Sequence, residues 1–246
     1  MTLTRKQREI AQRHALFLEI ALDTVANDGV HNLAMDVIAE KAEYSKGTVY
    51  QHFCCKEEIL IQLCISALTQ LHTLFEKAAG YDGTPRDRLM ALFYAHYLWT
   101  SIDPSCIELQ KHMTMHGLRD KVTDQSRQQH DELEQRIVSL VSSVVLDAVT
   151  NGDLELPKDL TAVELVFTLW SLNHGGQLLQ ASDLPLEDFG IRNPNKALIK
   201  SLTLMLDGLN WQPLHNHEHF AVLVNDFQNN LFKEEHTQYN FELNFL

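Results

Sequence analysis

Between Ala34 and Leu60 the sequence AMDVIAEKAEYSKGTVYQHFCCKEEIL repeats apolar residues at helical spacing in three short segments. Ile38, Ala39 and Ala42 mark the first segment, Val49 and Phe53 the second, and Ile59, Leu60 and Leu63 open the third. Among the apolar anchors of the second segment stand Lys46, Thr48, Tyr50, Gln51 and His52, side chains that donate hydrogen bonds and reach outward. Two short helices at a steep angle, the second carrying polar donors, describe a helix-turn-helix whose second helix suits the major groove of DNA.

These residues resemble the signature of the TetR family of transcriptional regulators. The matching positions are the Ile38-Ala39 pair, Ser45-Lys46-Gly47, Thr48-Val49-Tyr50-Gln51-His52-Phe53 and Lys56-Glu57-Glu58; with a first helix at about residues 5–28 they cover roughly the first quarter of the chain. The resemblance implies a homodimer on a double-stranded DNA operator, governed by a small-molecule effector. The chain departs from the family at two positions. Glu43 occupies the inter-helix turn where Gly is usual, which implies a different turn geometry or local strain. Ala34 stands where a Thr or Ser would cap the second helix and touch a phosphate, a cap worth about 1 kcal/mol.

A formal charge of −13 runs against a DNA-binding reading unless it is unevenly spread. Residues 1–60 carry seven Lys and Arg against nine Asp and Glu, so the acidity sits mainly in the other 186 residues. Within the head, residues 1–13 hold Arg5, Lys6, Arg8 and Arg13 against Glu9 alone, and residues 44–56 hold Lys46 and Lys56 with no acid. Contact with phosphate is local, since screening acts over about 8 Å at physiological ionic strength. The acidic remainder limits nonspecific attachment.

Only 10 Gly and 6 Pro in 246 residues, with long helical periodicity, predict an all-α fold: a three-helix N-terminal head and a larger helical domain. The expected domains are 1–55 (helix-turn-helix), 56–210 (effector binding and dimerisation) and 211–246 (an extension). Helix 1 is expected over Thr4–Asn27 with Ile10, Phe17, Ala21 and Val25 inward, and further helices at about 56–79, 85–102, 104–116, 120–150, 160–181 and 195–209. The last two are, by resemblance, the pair that forms a four-helix bundle with a second subunit. In the extension, Phe220, Leu223, Val224, Phe227 and Leu231 suggest an amphipathic helix, and Tyr239, Phe241, Leu243 and Phe245 alternate like a half-buried strand. No run of 18 consecutive apolar residues exists and the N-terminus lacks an apolar signal core, so no membrane span or export signal is expected. Cys54, Cys55, Cys64 and Cys106 form no spaced disulfide framework, pointing to a cytoplasmic protein with reduced thiols.

Gln51 is the candidate for base readout, since its amide matches adenine N6 and N7. Lys46 suits guanine or phosphate, and Thr48 a phosphate or a thymine methyl. By resemblance the set extends to Gly47 and to Tyr50, His52 and Lys56 as backbone contacts. Candidate effector-lining residues, by family analogy and by their clustering of aromatics and histidines, are Phe93, His96, Trp99, Met113, His116, Trp170 and His174; the alternative for each is a core or interface role. Their character suits a hydrophobic, aromatic or weakly acidic ligand.

Two histidine sets have metal-like spacing, His112 with His116 and His215 with His217 and His219, but the sequence places no third ligand or carboxylate with the first, and no metal or cofactor is expected. Vicinal Cys54-Cys55 suit either ordinary thiols or an oxidant sensor. No nucleophile motif, phosphate loop or metal triad points to an enzyme. The reading that follows is a repressor released by a small ligand, with a TetR-like protein controlled by a protein partner as the alternative.

Overall fold

The computed structural model describes residues 4–115, 118–214 and 217–239. Its helices are α1 (Arg5–Asp28), α2 (Met35–Lys41), α3 (Lys46–Tyr50), α4 (Lys56–Ala79), α5 (Pro85–Ile102), α6 (Ser105–Met115), α7 (Asp124–Asn151), α8 (Ala162–Gln180), α9 (Pro194–Gly208), α10 (His217–Asp226) and α11 (Lys233–Tyr239). No strand occurs among the described residues, and the architecture is all-α with an N-terminal helix-turn-helix domain and a larger helical remainder.

The chain divides into two compact units. The first comprises residues 1–70 and 103–134, the second residues 71–102 and 135–246. In the first, Thr4 caps α1 in a capping box with Gln7, and Gly29 ends the helix at φ 83°. Phe17, Ala21 and Val25 are buried, as the periodicity predicts, whereas Ile10 is exposed, as is every residue of α1 before Arg13. Phe17 meets Tyr44 and His52 edge-on, and Phe53 stacks on His14 at 4.6 Å. Lys41 donates to Thr24 at 3.0 Å, tying α2 to α1.

Glu58, in the first turn of α4, is the polar anchor of this unit. It is buried and accepts from Thr123 N–H at 2.8 Å, from the Thr123 hydroxyl at 3.1 Å and from Ser126 Oγ at the start of α7. Burial pushes its carboxyl up, but the hydrogen bonds from Ser126, Thr123 and Gln62 outweigh it and hold the group below the usual range. A charge placed in the interior only with such a full donor set is tolerated rather than costly.

In the second unit Pro85 opens α5 behind Thr84, whose hydroxyl accepts from Asp87 N–H at 3.2 Å. Arg86 is buried and donates to Asp207 on α9 and to the Trp211 carbonyl, both at 2.5 Å. α8 and α9 pack closely at Gly176: a Cβ there would come within 2.4 Å of Leu198 Cδ1, while one on Gly175 would meet nothing within 4 Å. Ile199, Leu202 and Leu206 of α9 are buried in the chain itself. Val163 (57%), Phe167 (62%), Trp170 (47%) and Leu204 (61%) are instead exposed, so the apolar residues of this helix pair serve two faces.

The described residues of the extension pack within the second unit. α10 is the amphipathic helix expected from its pattern, with Phe220, Leu223 and Val224 buried; it runs into a single π turn, Phe227–Leu231, in which Phe227 is fully buried. Tyr81 donates to Asp226 at 2.8 Å, Tyr94 pairs with His236 Nε2 at 2.8 Å, and Lys77 bonds Glu235. Tyr239, which the alternation assigned to a strand, ends α11 instead; local i→i−4 bonding such as His236 N–H to Phe232 O sustains a helix there. Phe241, Leu243 and Phe245 lie outside the described residues.

Over an 18-residue window α4 has a mean hydropathy of 1.3, enough by length and composition to cross a membrane, yet 61% of that window is buried within the protein, the condition of a core helix.

Candidate nucleic-acid interface

The turn between α2 and α3 resolves the question posed by Glu43. Its φ is 57°, the left-handed region that glycine favours. Glu43 N–H reaches Glu40 O at 3.1 Å and Tyr44 N–H reaches Ala39 O at 3.0 Å, the two bonds of a Schellman closure. The usual turn geometry is therefore kept, and the side chain is accommodated under strain. At the start of α2, Ala34 makes no side-chain cap, as its methyl group dictates.

Ser45 starts α3: its hydroxyl accepts from Thr48 N–H at 3.1 Å and lies 2.8 Å from Thr48 Oγ1. Helical hydrogen bonding continues past Tyr50, with Gln51 N–H on Gly47 O and Phe53 N–H on Val49 O, so Gln51 and His52 extend the same short rod. Val49 and Phe53 are its buried edge, whereas Lys46, Gly47, Tyr50 and Gln51 are exposed and Thr48 is half-buried. One face of the rod thus presents an ammonium, a phenol and a carboxamide to solvent.

Two neighbours qualify that face, and neither was legible from spacing alone. Lys46 Nζ lies 2.7 Å from Asp36 Oδ1 on α2, and the bond to Asp36 raises the ammonium pKa further. His52 turns towards α1: Arg13 Nε–H donates to its Nε2 at 3.2 Å, and burial, then Arg13 and His14, push its pKa down. Arg13 itself sits 5.6 Å from the Tyr44 ring centroid. An imidazole accepting at Nε2 is a positioning group for the rod. Lys56 stands half-buried at the first position of α4, where Glu57 bonds Lys121 at 3.1 Å.

Cys54 and Cys55 link α3 to α4 as free thiols with their sulfurs 3.7 Å apart. Cys55 donates to Lys121 O at 3.3 Å, and burial pushes its thiol up to about 11. A thiol so raised is a poor nucleophile at neutral pH.

Of the candidate effector residues, the second unit holds Phe93, His96, Trp99, Trp170 and His174. His96 and Trp99 are buried with ring centroids 5.4 Å apart; Trp170 stacks on His174 at 5.4 Å. Burial, then the charge of His174, pushes His96 down to about 3, and its Nδ1 has no hydrogen-bond partner among the described residues. Phe93 is half-buried. Met113 belongs to the first unit and its side chain, like His116 altogether, lies outside the described residues. Of the metal-like histidine sets, His116 and His215 lie outside them as well, and His219 instead bonds Asp87 at 3.0 Å.

Residues 17–63 match the family described as bacterial regulatory proteins, tetR family. The fatty acid metabolism regulator protein of Bacillus subtilis is 21% identical over 170 residues, spanning 65% of this chain and 84% of that one. The HTH-type transcriptional regulator SrpR of Pseudomonas putida is 26% identical over 155 residues, 62% of this chain and 68% of its own. Among solved structures, the TetR family regulator PfmR of Thermus thermophilus shares the fold, with a TM-score of 0.59 and 19% identity over 78% of this chain and 98% of that one.

Proposed function

We propose that this chain, whose residues 17–63 match the tetR family of bacterial regulatory proteins, is a homodimeric repressor that occupies a pseudo-palindromic operator and is released by a small, largely hydrophobic effector. The observation that carries the DNA-binding part is the α3 rod, with Val49 and Phe53 buried beneath it and Lys46, Tyr50 and Gln51 exposed along it. In this reading Gln51 reads a base edge, Lys46 and Thr48 contact base or phosphate, and Gly47, Tyr50, His52 and Lys56 position the rod on the backbone. One such rod reads few base pairs. Two of them, related by a two-fold axis, read half-sites about one helical turn apart.

The exposed Val163, Phe167 and Trp170, at i, i+4 and i+7 on one face of α8, support self-association, since exposed apolar area of this kind marks an interface. Gly175, with open space where its Cβ would be, allows a partner helix to approach α8. In the second unit, the buried His96–Trp99 pair, with His174 near enough to act on His96, supports an effector of mostly apolar surface with one polar group for the unpartnered His96 nitrogen. The name of the Bacillus subtilis relative, a fatty acid metabolism regulator, is compatible with that class. Effector control requires different affinities for the DNA-competent and DNA-incompetent states; a ligand that binds both equally shifts nothing.

The test is selection of bound duplexes from a random pool at fixed salt. The expected product is an inverted repeat with half-sites one turn apart. Enrichment of no sequence would overturn the reading. A thermal-shift screen of apolar acids follows: a true effector at 100 times its Kd adds about 2.7 kcal/mol.

A further inference from the structure

Outside the DNA-facing and effector residues, the first turns of α7 hold a cluster that no part of the regulator reading uses. His130, Asp131 and Glu134 each offer one donor atom, and these atoms all lie within 4.8 Å of one another. His130 Nδ1 is 3.7 Å from Asp131 Oδ1 and 3.7 Å from Glu134 Oε2. Both distances are too long for hydrogen bonds. The His130 side chain is only 7% exposed, and both its Nδ1 and the Asp131 Oδ1 are buried without a hydrogen-bond partner. A buried imidazole nitrogen and a buried carboxylate oxygen left without partners leave a place that a bound ion can fill.

We propose that His130, Asp131 and Glu134 bind a divalent transition-metal ion of the zinc class. Zinc takes imidazole nitrogen and carboxylate oxygen at about 2.0–2.2 Å, which sets tetrahedral ligand atoms about 3.3 Å apart. Nδ1 therefore needs to close on each carboxylate by only a few tenths of an ångström. Helical geometry supplies two of the pairings: His130 and Glu134 are neighbours at i and i+4, and Asp131 and Glu134 at i and i+3. Arg119 holds Asp131 through the other oxygen, Oδ2, at 2.5 Å, leaving Oδ1 turned towards the imidazole. Such a hydrogen bond orients a ligating carboxylate from outside the coordination sphere. One nitrogen and two oxygens suit zinc or its first-row neighbours; magnesium and calcium prefer oxygen alone. The three ligands leave room for water. All three residues lie in the same unit as the helix-turn-helix, and Ser126, one turn before His130, is a donor to buried Glu58. The sequence HDELE carries the pattern, but i, i+1, i+4 spacing of acids around one histidine is common on solvated helices, so only the burial and the unpartnered atoms single it out.

The experiment titrates the full-length protein, stripped with chelator and dialysed, with Zn2+ against a competing chromophoric chelator. The expected result is a saturable site of one equivalent per chain that millimolar Mg2+ does not displace. Glu134→Gln and Asp131→Asn should each weaken it by more than about 100-fold, the upper end of what losing an outer-shell partner costs, while His112→Ala leaves it intact. Glu134 is half exposed, so its amide variant should keep the metal-free melting temperature and remain interpretable. Absence of saturable binding, wild-type affinity in both amide variants, or loss of zinc in His112→Ala alone would each overturn the assignment.

Discussion

Lys46 Nζ sits 2.7 Å from Oδ1 of Asp36, so the cation at the start of the reading rod is already engaged by an acid of the preceding helix. A phosphate that approaches Lys46 meets the Asp36 carboxylate as well. Asp36→Asn should therefore tighten binding to every duplex and steepen the log–log salt dependence by about one unit. Fluorescence anisotropy on cognate and scrambled DNA at several salt concentrations checks it; unchanged slopes would show that the pair opens at no cost.

Gln51 and Lys56 should separate specificity from affinity. Gln51→Ala is expected to relax base preference, losing about 1–3 kcal/mol on the cognate site and little on scrambled DNA. Lys56→Ala should weaken all sequences alike and flatten the salt slope by about one. Equal effects of both changes on both duplexes would contradict the division of roles.

Glu43 pays a steric penalty at φ 57° that glycine would not. Glu43→Gly should stabilise the protein by about 1 kcal/mol, the left-handed penalty less the added freedom of the unfolded chain. A rise in the melting temperature measures it. Glu43→Val should move it the other way, because a β-branched side chain tolerates this region least.

The outward stripe on α8 gives a test of assembly. Phe167→Glu places a charge in the middle of the exposed apolar row and should yield a monomer by sedimentation, with helix content retained because the residue is mostly exposed in the single chain. Operator affinity should fall with it.

Histidine burial gives the pH dependence. His96 is held neutral in the folded chain, pushed down to about 3 by burial and then by His174, whereas the unfolded chain takes up its proton near 6.5; His174, also lowered by burial, acts in the same direction. Below pH 6.5 the unfolded state binds more protons, so stability falls as pH drops from about 6.5 towards 3, by about 1.4 kcal/mol per unit for His96 alone. Urea midpoints between pH 7.5 and 5 should decline in the wild type and decline less in His96→Gln.

Where packing is local, the sequence was nearly sufficient. α4 and α5 run over Lys56–Ala79 and Pro85–Ile102, as their periodicity and the Thr84-Pro85 cap predict. The positions of Gln51 and Tyr50 on the exposed edge follow from Val49 and Phe53 being buried. What spacing could not reveal were pairings made across the chain. Asp36 with Lys46, Arg13 with His52, and Glu58 with Ser126 join residues 10, 39 and 68 positions apart, and nothing in a one-dimensional pattern marks them. The end of the extension misled for a different reason: period-two alternation of aromatics suggested a strand, but Tyr239 has no neighbouring strand to pair with among the described residues and closes a helical turn instead.

The two adjacent glycines of α8 face different surroundings. Any larger residue at 176 must displace Leu198 from a gap already filled, so variation there is paid inside a single polypeptide. At 175 the same change meets only open space within the chain, so natural or laboratory drift at that site would record the shape of whatever lies against it. Deep mutational scanning of Gly175 and Gly176 would thus distinguish, within one peptide bond, the requirements of folding from those of company.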